Sequence, residues 1–167
     1  LSIRRQRQMC IRDRVHIYVM TSLLIFLHVI AAILLIGTVC VATSAFPGQL
    51  EKAAAGDAGA AGAASILNKI TSTYGYISVI VPVIGLAIFL TDLSAYKSEI
   101  QFHIALLLTV VAWVILLVVV IPKQNKAMAA IATPGAGADI TKLRKKIAMF
   151  SGVFNLLWVI CAILMYV

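Results

Sequence analysis

Charged residues are scarce in this sequence, and their scarcity excludes a water-soluble globular protein. Only 12% of the 167 residues are charged, whereas 62% are hydrophobic and the mean hydropathy is +1.04. In a soluble domain about a quarter of the residues are charged and about half are apolar. A chain of this composition lacks the polar surface that a globule needs in water, so we expect an integral membrane protein with one domain.

The sequence also lacks the short motifs that carry the commonest enzyme chemistries. It contains no phosphate-binding loop, no nucleophile elbow and no metal-binding pair of cysteines. The cysteines Cys10, Cys40 and Cys161 are too scattered for a disulfide framework or a metal site. We therefore expect a protein without a catalytic site.

Four long apolar runs are present instead, and each is a candidate for a helix that crosses a bilayer. They cover approximately residues 22–46, 74–91, 102–121 and 148–167. About 20 apolar residues are needed to cross a hydrocarbon core of about 30 Å. The second run is the shortest, and we expect residues 65–74 to add turns to its helix on the water side. The predicted fold is an all-α four-helix transmembrane bundle formed by residues 20–167.

Proline and glycine mark where we expect the helices to end. The first helix is predicted to stop at Pro47 and Gly48, and the third at Pro122. Segment 53–64 is rich in alanine and glycine but is not followed by Lys-Ser or Lys-Thr. We interpret it as a solvated, weakly helical linker rather than a phosphate loop. A break at Pro134-Gly135 precedes Asp139, which we expect to cap the helix that leads into the fourth run.

Lysine and arginine are distributed unevenly over the predicted connections, and this predicts an orientation. The third connection has six of them, the first has Lys52 and Lys69, and the second has Lys97. Because positively charged loops remain in the cytoplasm, the first and third connections are predicted inside and both termini outside. We therefore expect a multi-pass protein of the bacterial cytoplasmic membrane.

The five arginines of residues 1–19 contradict this orientation, because they favour a cytoplasmic N-terminus. Residues 8–14, with the sequence QMCIRDR, resemble a peptide that arises when a sequencing adapter is translated by mistake. We therefore expect residues 1–19 to be a non-native leader and Met20 to be the natural start. The alternative is a genuine basic leader on the cytoplasmic side.

Two histidines are candidates for binding a cofactor inside the membrane. His28 lies within the first run and His103 at the start of the third, so both are predicted near the outer surface. Paired imidazoles from two helices would suit a b-type haem or the beginning of a copper site. The simpler interpretation is a neutral His28 bonded to a neighbouring helix and a solvated His103 at the interface. We therefore predict no cofactor.

Other residues in and beside the runs are expected to serve packing and membrane contact. Small side chains at Ala31, Thr38, Ala42 and Ala45 favour close approach of the first helix to another helix, either within this chain or in a partner. Asn155 is expected to form an interhelical hydrogen bond worth about 1 kcal/mol. Four basic residues ahead of the fourth run are expected to lie against lipid headgroups, namely Lys142, Arg144, Lys145 and Lys146.

The first helix resembles that of two bacterial families of four-helix membrane proteins. Residues 27–37, with the sequence LHVIAAILLIG, are similar to a Leu-His-x-x-x-Ala opening. This opening is found in copper-resistance D-type proteins and in protoporphyrinogen oxidases of the J type. In the oxidases such a histidine is a haem ligand, and the resemblance implies that role for His28.

The chain from Met20 onward also resembles small predicted integral membrane proteins of unknown function that are common in actinobacteria. The similarity rests on Ile70-Thr71-x-x-Tyr74-Gly75, on Phe102-His103 and on Gly152-x-Phe154. This resemblance implies four spans and no assigned reaction.

The sequence leaves three functions open. The first is a non-enzymatic accessory or assembly subunit of a larger membrane complex, respiratory complexes included, or of a homo-oligomer. The second is a membrane redox protein that binds haem or copper through His28 and His103. Transport by the monomer ranks third, because the runs lack polar residues to line a path. Nucleic-acid binding is not expected, because basic clusters at this hydropathy mark orientation in the membrane.

Overall fold

The computed structural model describes residues 19–91, 99–133 and 137–166, and within them it has four long helices and no strand. These are α1 (Val19–Ala54), α2 (Ala58–Thr91), α3 (Ile100–Ile131) and α4 (Gly137–Tyr166). Each helix is long and apolar enough to cross a membrane. The predicted all-α four-helix bundle is thus confirmed. The predictions for residues 1–18, for Lys97 and for the break at Pro134 and Gly135 lie outside the described residues.

Two predicted helix ends are wrong, because the helices continue through proline. Helix α1 contains Pro47 and Gly48 and ends at Ala54, and α3 continues past Pro122 to Ile131. Proline inside a helix costs about 3 kcal/mol, but the helix around Pro47 buries large apolar side chains. In α3 the residues ahead of Pro122 form π-helical turns at Ile115–Val120. The hydrogen-bond pattern of the helix has therefore already changed from α-helical to π-helical just before the proline.

The alanine- and glycine-rich segment 53–64 forms a largely exposed helical hairpin, more helical than the linker that its composition suggests. Only Ala55, Gly56 and Asp57 separate α1 from α2. Gly56 has a φ of 98°, the left-handed conformation that ends many helices. The Asp57 side chain then caps α2 by accepting a hydrogen bond of 3.0 Å from the N–H of Ala60. Because alanine has the highest helix propensity, the chain is helical on both sides of this turn.

Helix α2 begins well before Tyr74, as expected, and a turn interrupts it at Ser78 and Val79. Pro82 has no N–H with which to bond the Ser78 carbonyl. The N–H of Val81 bonds that carbonyl instead, at 3.0 Å. The cause of the interruption is therefore the proline, whose missing hydrogen bond is replaced within the same helix.

The helices pack around two apolar clusters that follow each other along the bundle. The central cluster consists of Val39, Ala112, Leu116, Val120, Ile121 and Phe154. The hairpin cluster consists of Phe46, Leu50, Ala64, Ala127, Ile140 and Ile147. The second cluster lies at the end of the bundle where the α1–α2 turn is found, which we call the hairpin end.

The hairpin end is the charged part of the molecule. Helices of 30 to 36 residues are about 45–54 Å long, well over the hydrocarbon thickness of about 30 Å. Among the described residues, every charged side chain except Glu99 lies on this end or on its turn. At the opposite end, large apolar side chains such as Leu23, Phe26 and Ile33 are exposed, as expected for lipid contact. The hairpin end therefore has an apolar cluster inside and charges outside.

Candidate functional site

His28 lies on α1 and packs against α2. A Cβ atom at Gly85 would lie 3.0 Å from Cε1 of His28, so the glycine leaves the space that the ring occupies. The ring also interacts with the backbone of Val81, one turn away on the same helix. Its Nδ1 atom is buried without a hydrogen-bond partner among the described residues. The half-buried imidazole is thus held between two helices.

His103 is exposed at the beginning of α3. Its Nδ1 atom lies 3.2 Å from the carbonyl oxygen of Glu99 in the preceding turn. Its ring meets the edge of Phe89 on α2, with centroids 5.6 Å apart and planes at 86°. The second candidate ligand therefore also packs on α2.

The two histidines approach α2 on successive turns, because Gly85 and Phe89 are four residues apart. Each ring contacts that helix, and no hydrogen bond or ring contact joins His28 to His103, both of which are described. Within residues 19–91, 99–133 and 137–166 there is no group of three or more His, Cys, Asp or Glu residues that could hold a metal ion. The structure therefore packs both histidines on α2, towards the end of the bundle opposite the hairpin end.

The small residues predicted for helix packing differ in burial. Ala42 is 2% exposed and lies inside the bundle, whereas Ala31 and Thr38 are half-buried. The Thr38 hydroxyl donates a hydrogen bond of 2.6 Å to the Leu34 carbonyl of its own helix. Ala42 is therefore the member of this set with no room for a larger side chain.

Asn155 connects α4 to α1. Its Nδ2 atom lies 2.7 Å from the Ser44 hydroxyl oxygen and 3.5 Å from the Cys40 carbonyl oxygen. Its Oδ1 atom is buried and has no hydrogen-bond partner in the part of the chain that the structure describes. The amide lies in an open groove between the two helices, lined by Cys40, Val41, Ser44, Ala45 and Asn155. We call this surface the α1–α4 groove.

The basic cluster lies at the hairpin end, and its members do not all face outward. Lys142, Lys145 and Lys146 are exposed on α4. Arg144 instead points to α1, where its Nη1 atom donates a hydrogen bond of 2.9 Å to Oε2 of Glu51. Arg144 thus forms a surface ion pair that joins α4 to α1.

Sequence reasoning missed several buried polar residues at the level where the two clusters meet. Gln124 is fully buried on α3, although it lies in a region predicted to be a polar loop. Ser151 on α4 is 1% exposed, and Thr43 and Thr71 are fully buried on α1 and α2. The sequence did contain a signal for the burial of Gln124. This residue lies three positions after Ile121 and three before Ala127, so in a helix it shares a face with these two apolar residues.

Comparison of the chain with protein-family models, with curated proteins and with solved structures finds no match.

Proposed function

We propose that this chain is a non-enzymatic subunit of a membrane complex and that another membrane protein binds in the α1–α4 groove. The observation that carries the proposal is the polar pair Ser44 and Asn155, joined at 2.7 Å in an open groove between apolar parts of two helices. Ser44 is exposed and Asn155 is half-buried, so the pair is accessible from outside the bundle.

A mainly apolar groove that contains one polar pair suits a further transmembrane helix. Hydrocarbon offers no hydrogen bonds, so a polar atom at a helix surface is stabilised by a partner on a neighbouring helix. The exposed Ser44 hydroxyl accepts a hydrogen bond from Asn155 and donates none to a described residue. A carbonyl or amide oxygen on the incoming helix would accept a hydrogen bond from it.

The residues beside the pair favour close approach. Ala45 and Gly48 on α1 and Gly152 on α4 are exposed, and a Cβ atom at either glycine would meet no described atom within 4 Å. Small residues let the backbones of two membrane helices come near each other, which is the main source of helix association in lipid. The groove therefore combines room for a helix with an exposed hydroxyl that can donate a hydrogen bond to it.

The proposal is tested by purifying the chain from its own host membranes in a mild detergent and identifying the proteins that co-purify. Ala45→Leu fills the groove from an exposed position, and Ala162→Leu makes the same change at an exposed position on α4 near its C-terminal end. We expect a stoichiometric partner with the wild type and with Ala162→Leu, and its loss with Ala45→Leu. Light scattering of the purified complex gives the stoichiometry.

Three results would contradict this proposal. One is a wild-type chain that purifies as a monomer, and another is a partner that binds Ala45→Leu as well as it binds the wild type. A complex whose mass equals several copies of this chain would assign the groove to a homo-oligomer rather than to a different protein.

A haem- or copper-binding redox protein is the second candidate function, favoured by the packing of His28 and His103 on successive turns of α2. This function requires an absorbance band of the purified protein that disappears in both His28→Ala and His103→Ala. The subunit function instead predicts a colourless protein, in which His28→Ala lowers stability or partner binding. The absorbance spectrum of the same preparation separates the two candidates.

A further inference from the structure

Each of the four helices has a buried polar side chain at the boundary between the two apolar clusters. On α1, Thr43 lies between Val39 of the central cluster and Phe46 of the hairpin cluster. On α4, Ser151 lies between Phe154 and Ile147 of the same two clusters. These two hydroxyls are therefore at the same height in the bundle.

The other two helices repeat the arrangement. On α3, Gln124 lies between Ile121 of the central cluster and Ala127 of the hairpin cluster. On α2, Thr71 lies between Leu67, which packs on the hairpin cluster, and Gly75, which faces Ile121. The four side chains are 0–1% exposed. We call them the polar layer, and its members are Thr43, Thr71, Gln124 and Ser151.

The hydrogen-bonding capacity of this layer is only partly used. The Thr43 and Thr71 hydroxyls donate to carbonyls of their own helices, at 2.8 and 2.9 Å, and keep lone pairs free to accept. Both amide atoms of Gln124 and the hydroxyl of Ser151 are buried without a partner from any described residue. A buried amide or hydroxyl is costly unless it is hydrogen-bonded.

The chemistry of the layer identifies what would satisfy these atoms. Its side chains are neutral amide and hydroxyl groups, without the carboxylates that bind divalent cations or the thiolates and imidazoles that bind transition metals. Water both donates and accepts, and a buried water molecule makes about three hydrogen bonds to polar groups that would otherwise be unsatisfied. We infer that the polar layer is a water-binding site inside the bundle, in which water bridges Gln124 and Ser151.

A pair of asparagines lies between α2 and α3 close to the layer along both helices. The Nδ2 atom of Asn68 on α2 donates a hydrogen bond of 2.9 Å to Oδ1 of Asn125 on α3. Asn68 is three residues before Thr71, and the exposed Asn125 directly follows Gln124. The Oδ1 atom of Asn68 is itself buried with no partner within the described ranges. The asparagine pair therefore adds polar groups between α2 and α3 within one turn of the layer.

The inference is tested by nuclear magnetic resonance on the chain labelled with ¹⁵N-glutamine in lipid nanodiscs. The sequence has five glutamines, and loss of one side-chain signal in Gln124→Leu assigns Gln124. We expect the side-chain amide of Gln124 to show an Overhauser effect with water, with the sign that is typical of a water molecule that stays bound for a long time. This effect should weaken in Ser151→Ala. The half-buried Gln49 serves as the control for rapidly exchanging water.

Thermal unfolding of the same variants gives the second measurement. We expect Gln124→Leu to lower Tm by about 2 to 4 °C, as for one lost hydrogen bond in a chain of this size, and Gln49→Leu to leave it unchanged. The double variant with Gln124→Leu and Ser151→Ala should have the same Tm as the less stable of the two single variants. Either single change already removes the bridging water, so the second change has no further water to remove.

Two results would overturn the inference. Absence of the Overhauser effect together with a raised Tm in Gln124→Leu would mean that the layer is dry. A wild-type Tm that rises in sodium but not in choline, with no such rise in Gln124→Leu, would mean that a monovalent cation occupies the site instead of water.

Discussion

Single residues on α1 differ sharply in the space around them. Ala42 is 2% exposed inside the bundle, whereas Ala45, three residues later, lines the open α1–α4 groove. Added methylene groups in a packed interior force neighbouring side chains to move, which costs about 1–3 kcal/mol. The same atoms at an open position displace only lipid or detergent.

We therefore expect Ala42→Leu to lower the free energy of unfolding by about 1–3 kcal/mol. Ala45→Leu should change it by less than about 0.5 kcal/mol, as usual for a surface substitution. Thermal unfolding of both variants in the same detergent measures the difference. Equal melting temperatures for the two variants would place Ala42 on the lipid side.

The contact between α2 and α3 depends on the absence of a side chain at one position. A Cβ atom at Gly75 would lie 3.2 Å from Cδ2 of Leu116 and 3.3 Å from Cδ1 of Ile121. Both neighbours are buried members of the central cluster and cannot retreat into solvent. Glycine is therefore required here for the close approach of two helices rather than for backbone freedom.

Gly75→Leu should lower the free energy of unfolding by about 1–3 kcal/mol, because the added side chain overpacks the central cluster. The matched control is Gly62→Leu, since Gly62 is exposed on the same helix and a Cβ there would meet no described atom within 4 Å. This control should be neutral or stabilising by up to about 1 kcal/mol, because leucine has the higher helix propensity. The two proteins are compared by thermal unfolding, and similar curves would contradict the close α2–α3 contact.

At the scale of the whole molecule, charge is concentrated at one end. The hairpin end carries the described lysines on its exterior, the Arg144–Glu51 ion pair between α4 and α1, and the hairpin cluster in its interior. Positively charged segments remain on the cytoplasmic side of a membrane. The hairpin end is accordingly proposed to face the cytoplasm, with α1 beginning and α4 ending on the outer side.

Cysteine labelling tests this orientation. Lys52 and Lys142 are exposed at the hairpin end, so Lys52→Cys and Lys142→Cys present accessible thiols once the native cysteines are replaced by alanine. We expect a membrane-impermeant thiol reagent to leave both unlabelled in intact cells and to label both after permeabilisation. Rapid labelling in intact cells would reverse the proposed orientation.

The sequence by itself determined that this chain forms four helices long and apolar enough to span a membrane. Hydropathy is a sum over residues that are neighbours in the sequence. A run of about 20 apolar residues therefore predicts a span independently of the rest of the chain. The hydrogen bonds of a helix are made within the run, because the bilayer supplies no others. Fold class and the number of spans were therefore readable without the tertiary structure.

The tertiary structure decided where the helices end and which polar residues are buried. Pro47 and Pro122 are ordinary helix terminators in a sequence, but packing of the hairpin cluster extends α1 and α3 beyond them. That extension moves Gln124 from a predicted loop into the bundle, and it brings Arg144 to Glu51. The burial of a side chain depends on helices that are distant in the sequence, and local periodicity carries no information about which helix will cover it.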